Sequence, residues 1–514
     1  MNTHHLLIET LTPLHVGSGR MLQGNTEYLY FSDAATVAVV NERRVLEIIG
    51  EENIDAWLSI IGRGDDLLDY LRKRKPSIQP ADAARRLMPV LGTKAPGNSQ
   101  TIREHIFSGN GQPILPGSSL KGSIRTAVLN QVIRENPVAA RRIDEYKTEQ
   151  HGRVKYKGAT LEKTYFGPDP NHDTFRLLRI GDAHFNQTVC LLSETLNERG
   201  SGFEMKESVR QFIECIPAGA ETLCRVQIPA ELKTLLNQPR YRETAAKLKQ
   251  RDRIEWPRLL ADVNAQTKRL INNEIDRYQR ENLPKGASRY VEQLNELLHG
   301  IHLKPNQCII RVGFGTGYLN MTGGWPLEQW RNVPGIDYAK EMDDLAEGVR
   351  RTGKYNGLAL PKSRKMALDG VPLGFLKLTL LNEAGLLDYQ AGVAERVARH
   401  IKQAEDARLA AEQEQNQREA DEQAKQEADR LEEEKRRKPH LFTDRLKKGQ
   451  LLDAEIMVSA RTNKVKVYAT GYENQLFDLI GYVGAEPVGR VVLVKVDQLS
   501  KKDVLQQVRY DKFK

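Results

Sequence analysis

The chain has 514 residues, of which 77 are Lys or Arg and 68 are Asp or Glu, and its formal net charge of +9 favours a polyanionic partner. No stretch approaches the roughly 18 apolar residues of a membrane-spanning helix, and the N-terminus lacks a signal-peptide pattern, so we expect a soluble, cytoplasmic protein without a membrane partner. Its four cysteines form no C-x-x-C pair, which argues against a zinc site and predicts buried free thiols.

Hydrophobic spacing and turn residues predict an alternation of strands and helices in the first part of the chain. The predicted elements are a strand at Leu6–Leu14, a glycine loop at His15–Gly19, a strand at Thr36–Val40, helical structure over Val45–Leu71 with breaks near Gly50 and Gly62, and a helix after the turn Pro113–Gly117.

The second part of the chain has short strands, a long helical stretch and a change of composition. About 40 residues from Glu395 are rich in Ala, Glu, Gln, Lys and Arg, which predicts a solvated helical spacer, since the apolar positions of a coiled coil are missing. The other predicted elements are short strands over Ile180–Ile228, helices from about Arg240 to Leu298, strands at Cys308–Val312 and Leu373–Leu380, and four C-terminal strands at Ala454–Val458, Val465–Thr470, Leu476–Val483 and Val488–Val496.

The stretch Leu115–Arg125 places small residues before a basic helix start. Ser118 and Ser119 lie among glycines, which allow close backbone approach, and free N–H groups at a helix start favour an anion. Lys121 and Arg125 are four residues apart and therefore share one helical face. This pattern suits a phosphodiester backbone, and an ordinary capped helix with solvated basic residues is the alternative.

The stretch Leu115–Arg125 is similar to two enzyme motifs but matches neither of them completely. A phosphate-binding loop needs Lys and then Ser or Thr directly after its second glycine, whereas Lys121 precedes Gly122. The pair Ser118-x-x-Lys121 matches the serine–lysine pattern of penicillin-binding enzymes, but the Ser-Asp-Asn that those enzymes also need is absent. We therefore expect a binding role for this helix start.

The loop His15–Gly19 follows a strand and offers a flexible main chain. Gly17 and Gly19 allow a ligand to approach the backbone, with Ser18 between them. His15 has the residue type that suits general acid–base catalysis near neutral pH. The alternative, which we favour, is a histidine that packs or forms a hydrogen bond at the end of the strand.

The stretch Gly313–Tyr318 has the spacing G-x-G-x-G, which is not that of a dinucleotide-binding loop. Phe314 and Tyr318 are predicted to stack on bases, with Gly315 admitting a backbone between them. A tight turn between a strand and a helix is the alternative.

A basic cluster follows this loop, and it precedes a predicted strand. Such clusters are usually solvated surface, but this position between a glycine turn and a strand makes it a candidate for phosphate contacts. The cluster consists of Lys354, Lys362, Arg364 and Lys365.

In contrast, His172-Asp173 is interpreted as a loop dipeptide, because the further ligands of a metal phosphohydrolase are missing.

Several of these segments together resemble the RAMP superfamily of CRISPR proteins. Thr12–Gly19 is similar to the superfamily's opening strand and loop, Leu115–Arg125 to its most specific signature, and Gly313–Gly317 to its glycine-rich loop. The pairing of Pro361–Arg364 with Pro372–Phe375 resembles the Csm subunit that caps the crRNA near its 3′ end. The resemblance covers roughly residues 1–395 and does not extend to the C-terminal part.

The resemblance implies an α+β fold with two ferredoxin-like (RRM-like) RAMP domains and a helical insertion. A charged helix and a small β module, for which an oligonucleotide-binding barrel is one candidate, are expected to follow. The predicted boundaries are 1–150 for the first RAMP domain, 151–394 for the second with its insertion at about 236–300, 395–438 for the spacer, and 439–514 for the β-barrel or sheet module.

The resemblance also implies a function, which is that of a non-catalytic crRNA-binding subunit of a type III-A CRISPR (Csm) interference complex. Such a subunit caps the 3′-proximal end of the crRNA and supports crRNA maturation and complex assembly. Its implied partners are crRNA and other Csm subunits, with target RNA and host maturation nucleases as further candidates, and no metal or cofactor is expected. The implied RNA contacts are His15, Gly17, Ser18, Gly19, Ser118, Ser119, Lys121, Arg125, Phe314, Gly315, Tyr318, Lys362 and Arg364.

Two alternatives stay open at this point. One is a RAMP-family endoribonuclease that processes crRNA, for which His15 is the candidate catalyst. The other is a RAMP subunit of a type III-B (Cmr) complex. In Csm complexes target-RNA cleavage belongs to a different, repeated subunit, so Asp33 is not assigned a catalytic role on its position alone.

Overall fold

The computed structural model divides the chain into two compact units, 1–389 and 390–514. None of the described helices is long and apolar enough to cross a membrane. All four cysteines are free and buried, as predicted. The described residues are 2–135, 147–150, 153–156, 158–199, 202–247, 253–278, 283–299, 302–320, 363–395, 417, 425, 438–459, 463–482 and 487–513.

Twenty-three strands are present in the described residues. They are β1 (Asn2–Thr10), β2 (Gly17–Gln23), β3 (Tyr28–Phe31), β4 (Thr36–Val40), β5 (Ala84–Leu91), β6 (Thr101–His105), β7 (Ile114–Leu115), β8 (Lys147–Gln150), β9 (Arg153–Tyr156), β10 (Arg179–Ile180), β11 (Ala183–His184), β12 (Val189–Arg199), β13 (Gly202–Met205), β14 (Gln211–Cys215), β15 (Glu221–Ile228), β16 (Gln307–Arg311), β17 (Ser363–Ala367), β18 (Phe375–Leu381), β19 (Leu451–Val458), β20 (Lys464–Val467), β21 (Leu476–Ile480), β22 (Val491–Leu499) and β23 (Leu505–Phe513).

The helices lie mostly between these strands, and residues 383–395 are also helical. The other α-helices of the described residues are α1 (Glu42–Ile49), α2 (Ile54–Arg63), α3 (Leu67–Arg74), α4 (Pro80–Ala83), α5 (Gly117–Arg134), α6 (Gly158–Phe166), α7 (Leu232–Leu236), α8 (Pro239–Lys247), α9 (Trp256–Tyr278) and α10 (Lys285–His299).

The first unit contains a five-stranded sheet with strand order β10-β15-β1-β18-β16, in which all neighbours are antiparallel. Successive side chains of a strand point to opposite faces, and both faces of this sheet are covered. Cys308 and Ile310 pack in a core with residues of α5 and α9, whereas Ile309 packs in another core with residues of α10. Burial on both faces explains the nearly continuous apolar runs in these strands.

A second, nine-stranded sheet lies in the same unit, with β2-β6-β14-β12-β5-β4-β3 in its main path and with β13 and β17 paired to β12. Helices α1–α4 pack against β3, β4 and β5. Both sheets contain strands from either side of residue 150, so the boundary predicted there does not separate the two sheets. Mixed helices and sheets confirm the α+β class.

Three of the crossings that the chain makes between the two sheets lie together. They are 11–16 between β1 and β2, 216–220 between β14 and β15, and 368–374 between β17 and β18. Because β15 and β18 both run antiparallel to β1, all three crossings lie at the same end of the five-stranded sheet, where β16 also ends. We call these three crossings, with the loop 312–317 that follows β16, the crossover seam.

The second unit contains a closed barrel with strand order β19-β20-β21-β23-β22. Four of its strands were predicted, and the sequence analysis missed β23. Over 505–512, where the burial of the side chains is described, the buried apolar side chains are Leu505 and Val508 among mostly polar residues, so the strand lacks a strong alternating pattern. The predicted spacer lies almost entirely outside the described residues.

Candidate nucleic-acid interface

Backbone hydrogen bonds join the predicted loops at the crossover seam. The Phe314 N–H donates to the His15 carbonyl over 2.8 Å, and the Gly374 N–H donates to the Pro13 carbonyl over 2.9 Å. The Thr12 hydroxyl oxygen accepts from the Phe375 N–H at 2.9 Å. The structure therefore brings together the histidine loop, the glycine-rich loop and the segment before β18.

Glycine is required where these loops approach each other. Gly313 has a φ of +81°, and a Cβ there would lie 2.4 Å from the His15 carbonyl oxygen. Gly374 has the same φ, and its Cβ would lie 2.1 Å from the Val312 carbonyl oxygen. Any side chain at either position would push the loops apart.

The aromatic side chain of this site is Phe314, and two cations lie beside it. The Lys365 ammonium is 4.2 Å and the Arg103 guanidinium 5.5 Å from the centre of the half-buried ring. Arg103 donates to the Gln211 side chain at 3.1 Å, and neither cation forms an ion pair within the described part of the chain. Partial burial of the ammonium group and the neighbouring Arg103 lower the pKa of Lys365, although much of its side chain is exposed. Two cations held over an aromatic ring without an ion pair suit the phosphates of an unpaired strand.

His15 lies beneath this surface, because only 1% of it is exposed. Its Nδ1 is 2.6 Å from the Glu214 carbonyl oxygen, which only accepts, so Nδ1 carries the proton. Burial, with the charges of Arg103 and Lys365, lowers the pKa of His15 to about 4. His15 was predicted to contact RNA, and its burial corrects that prediction and favours the packing alternative.

His105 lies 5.9 Å from His15 between ring centres and is fully buried. Its Nε2 donates to the Ile114 carbonyl at 3.0 Å, and its Nδ1 accepts from the Val16 N–H at 3.2 Å. Burial, with the nearby His15 and Arg86, lowers the pKa of His105 to about 3. The two neutral rings connect the histidine loop to β6 and to the residues just before α5.

The segment Gly17–Arg20 forms an exposed bulge at the edge of the nine-stranded sheet. Gly17 pairs with His105 and Met21 with Arg103, so residues 18–20 of β2 oppose a single residue of β6. The Ser18 hydroxyl donates to Glu104 at 2.9 Å. The predicted contacts Gly17, Ser18 and Gly19 are therefore at the surface.

A buried ion-pair network holds this bulge from below. Arg86 pairs with Glu104 at 3.0 Å and with Glu214 at 2.9 Å, and its guanidinium lies 4.3 Å from the centre of the Phe107 ring. The charge assistance and the burial of both carboxylates make these strong hydrogen bonds. The sequence analysis did not identify this support.

The start of α5 differs from the predicted anion site. The Gly117 N–H donates to the Asp182 carboxylate at 2.8 Å, so a protein carboxylate already occupies the first amide of the helix. Ser118 is exposed and Ser119 half-buried. The turn that begins at Tyr318 packs against α5, which places Tyr318 between the seam and this helix.

The two basic residues of α5 have different surroundings. Arg125 pairs with Glu162 at 3.0 Å and with Asp173 at 2.7 Å, and it lies 4.1 Å from the centre of the Phe166 ring. Lys121 forms no ion pair in the described chain, and burial together with Arg125 lowers its pKa. Lys121 is therefore the cation that remains available to a ligand, whereas Arg125 fixes α5 to the segment that contains Asp173.

Arg364 was predicted to contact RNA, but only 2% of it is exposed, so we correct that prediction. Its guanidinium donates to the carbonyls of Gly315 at 3.2 Å and Thr316 at 2.9 Å, and it pairs with Glu274 of α9 at 2.5 Å. Arg364 therefore supports the glycine-rich loop from inside. Lys362 and Lys354 lie outside the described residues.

Glu274 also holds the segment before β18 through a second arginine. Arg311 pairs with Glu274 at 3.2 Å and donates to the Leu373 carbonyl at 3.0 Å. Although burial opposes ionisation, Arg364 and Arg311 hold the pKa of Glu274 below its usual range. One carboxylate of the helical stretch thus fixes two loops of the seam.

Comparison with known proteins gives a family match and a curated relative. A family model described as the RAMP superfamily matches residues 7–320. A curated relative from Methanocaldococcus jannaschii, described as "CRISPR system Cms protein Csm5", is 22% identical over 401 residues, which covers 74% of this chain and 89% of the relative.

Two solved structures resemble the fold. The crystal structure of T. onnurineus Csm5 matches with a TM-score of 0.50 and 20% identity, covering 72% of this chain and 99% of that one. A chain from a cryo-EM structure of a Csm-crRNA-target RNA ternary complex of a type III-A CRISPR-Cas system matches with a TM-score of 0.52 and 20% identity, covering 73% of this chain and 100% of that one.

Proposed function

Because this chain belongs to the RAMP superfamily, we propose that it is a non-catalytic, crRNA-binding subunit of a type III-A CRISPR (Csm) complex. The curated relative is named as Csm5, and one structural neighbour was solved with crRNA and target RNA. The partners of the chain are then crRNA, other Csm subunits and target RNA. It caps the 3′-proximal end of the crRNA and so supports maturation and assembly.

The observation that carries this proposal is the surface around Phe314. Arg103 and Lys365 lie beside the half-buried ring without an ion pair in the described chain, and the exposed bulge at Gly17–Arg20 belongs to the strand that pairs with β6. Phosphates contact such cations without regard to base identity, so the guide's sequence remains free to pair with a target. A binding surface of this kind fits a subunit that holds a guide RNA.

The geometry at His15 supports a role without cleavage. A general acid or base must come within hydrogen-bond distance of the reacting group, at about 2.6–3.2 Å. The His15 ring is buried, and its Nδ1 proton is donated to the Glu214 carbonyl. Its Nε2 lies under Gly17, since a Cβ added at that glycine would be 3.2 Å from Nε2. RNA at the surface therefore does not reach this imidazole without a rearrangement of the loop.

The test is RNA binding by the full chain with Arg103→Glu and Lys365→Glu together. Each phosphate contact on single-stranded RNA contributes about 0.7 to the slope of log affinity against log salt, so we expect the slope to become shallower by about 1.4. Charge reversal should also weaken crRNA binding at least tenfold.

The matched control is Lys73→Glu with Lys304→Glu, since both lysines are exposed. Lys73 lies on α3, and Lys304 precedes β16 at the sheet end opposite the seam. This control should bind crRNA within about twofold of the unmodified chain, as expected for loss of long-range attraction alone. Equal effects of the two double variants would refute the placement of RNA at Phe314.

A further inference from the structure

The barrel of the second unit lies outside residues 7–320, which the family model matches. Its third and fifth strands, β21 and β23, pair in parallel, and its other neighbouring strands are antiparallel. The order β19-β20-β21-β23-β22 is that of the five-stranded oligonucleotide-binding barrel. Side chains such as Val465, Val467, Val492 and Val494 are fully buried in its interior. A ligand would therefore bind outside the barrel.

One end of the barrel carries cations without partners. Lys447 and Lys448 lie in the loop before β19, and Lys501 and Lys502 lie in the loop between β22 and β23. All four are exposed, and none forms an ion pair with any residue that the structure describes. Since β22 runs antiparallel to β19, its end lies beside the start of β19, and both loops are at the same end.

Two contacts hold the loops at this end together. Arg445 pairs with Asp503, which joins the loop before β19 to the loop between β22 and β23. The Leu505 N–H donates to the Tyr472 hydroxyl oxygen at 3.0 Å, which adds the loop between β20 and β21. The four lysines are thus presented by a cross-linked set of loops.

Two cations on the wall of the barrel are neutralised instead. Lys495 pairs with Asp511 at 3.7 Å, and Arg509 pairs with Asp497 at 3.2 Å, all on β22 and β23. The loop end therefore brings together four exposed lysines without an ion pair in the described chain. Apolar side chains are exposed at that end too, with Leu476 50% and Val504 47% exposed. A surface that combines free cations with apolar patches suits the phosphates and bases of an unpaired strand.

We propose that this end of the barrel is a second site for single-stranded nucleic acid, separate from the crossover seam. Lys447, Lys448, Lys501 and Lys502 contact the phosphates, so the site binds without base specificity. This proposal does not depend on the CRISPR assignment, because it is argued only from the residues of the barrel and its loops.

The test uses the full chain and a short labelled oligouridylate, with Arg103→Glu and Lys365→Glu present throughout so that the seam contributes little. In that background, Lys501→Glu with Lys502→Glu should weaken binding at least tenfold and make the salt slope shallower by about 1.4, at about 0.7 for each lost phosphate contact. Circular dichroism should show an unchanged thermal transition, since both lysines lie in an exposed loop.

The matched control is Lys464→Glu with Lys512→Glu, which changes the net charge equally but acts on the strands β20 and β23, away from the loop end. We expect it to leave the affinity for the oligouridylate within about twofold, because distant exposed charges are screened. Unchanged binding by the loop variant, or equal losses in both variants, would overturn the site. Unchanged binding would mean that the lysine end serves another partner, such as an acidic protein surface, and equal losses would mean that net charge alone sets the affinity.

Discussion

His15 and His105 are buried, neutral histidines, and this makes the stability of the first unit depend on pH. Their pKa values are about 4 and about 3 in the fold, against 6.5 in the unfolded chain. The unfolded state therefore binds more protons below pH 6.5, so stability is complete above that pH and falls as the pH drops toward the folded values. Each histidine should lower the free energy of unfolding by about 2 kcal/mol between about pH 7.5 and about pH 5.

Urea unfolding at both pH values measures this effect. His15→Asn keeps a donor for the Glu214 carbonyl and should remove about half of the loss, or about 2 kcal/mol. The exposed His302 provides the control, and His302→Asn should leave the pH dependence unchanged. If His15→Asn retained the full dependence, the assignment of a low pKa to His15 would be wrong.

Residue roles at the seam could be predicted only in part. Arg364 and Lys365 both appeared as members of a basic cluster, yet strand alternation buries one and exposes the other. Applying that alternation to β17 would have separated them. Arg103 and Glu274 carried no local signal, because their positions beside Phe314 and Arg364 depend on pairing between distant segments.

At the scale of elements, α5 presents two cations that should behave differently. Lys121→Ala should make the salt slope of crRNA binding shallower by about 0.7 and leave stability nearly unchanged, because Lys121 has no ion pair in the described chain. Arg125→Ala should instead lower the free energy of unfolding by about 2 kcal/mol, since it removes hydrogen bonds to two carboxylates.

Salt-dependent binding and urea unfolding of both variants separate these roles. The start of α5 was predicted from small residues and apolar spacing, and the structure confirms the helix. The sequence did not indicate that Asp182 takes the first amide or that two acidic residues engage Arg125, because those partners come from later segments. A stability loss in Lys121→Ala together with a slope change in Arg125→Ala would reverse our assignment.

At the scale of the whole molecule, the main unpredicted feature is the exchange of strands between two sheets. Local patterns predicted most strands and helices, because apolar spacing and turn residues are local properties. They do not determine that β1 pairs with β15 and β18, more than 200 residues away. The crossover seam results from these pairings, so the candidate site was visible in the sequence only as separate motifs.

One measurement tests most directly whether this seam holds crRNA. Ser363 is exposed and lies two residues before Lys365 on β17, so its side chain points to the same face without belonging to the binding set. A photoreactive benzoylphenylalanine at Ser363, in the chain assembled with crRNA and the other Csm subunits, should crosslink to the 3′-proximal part of the crRNA. The same group at the exposed Leu58 of α2 is the control. A crosslink at the 5′ end, or a yield no higher than at Leu58, would contradict the account.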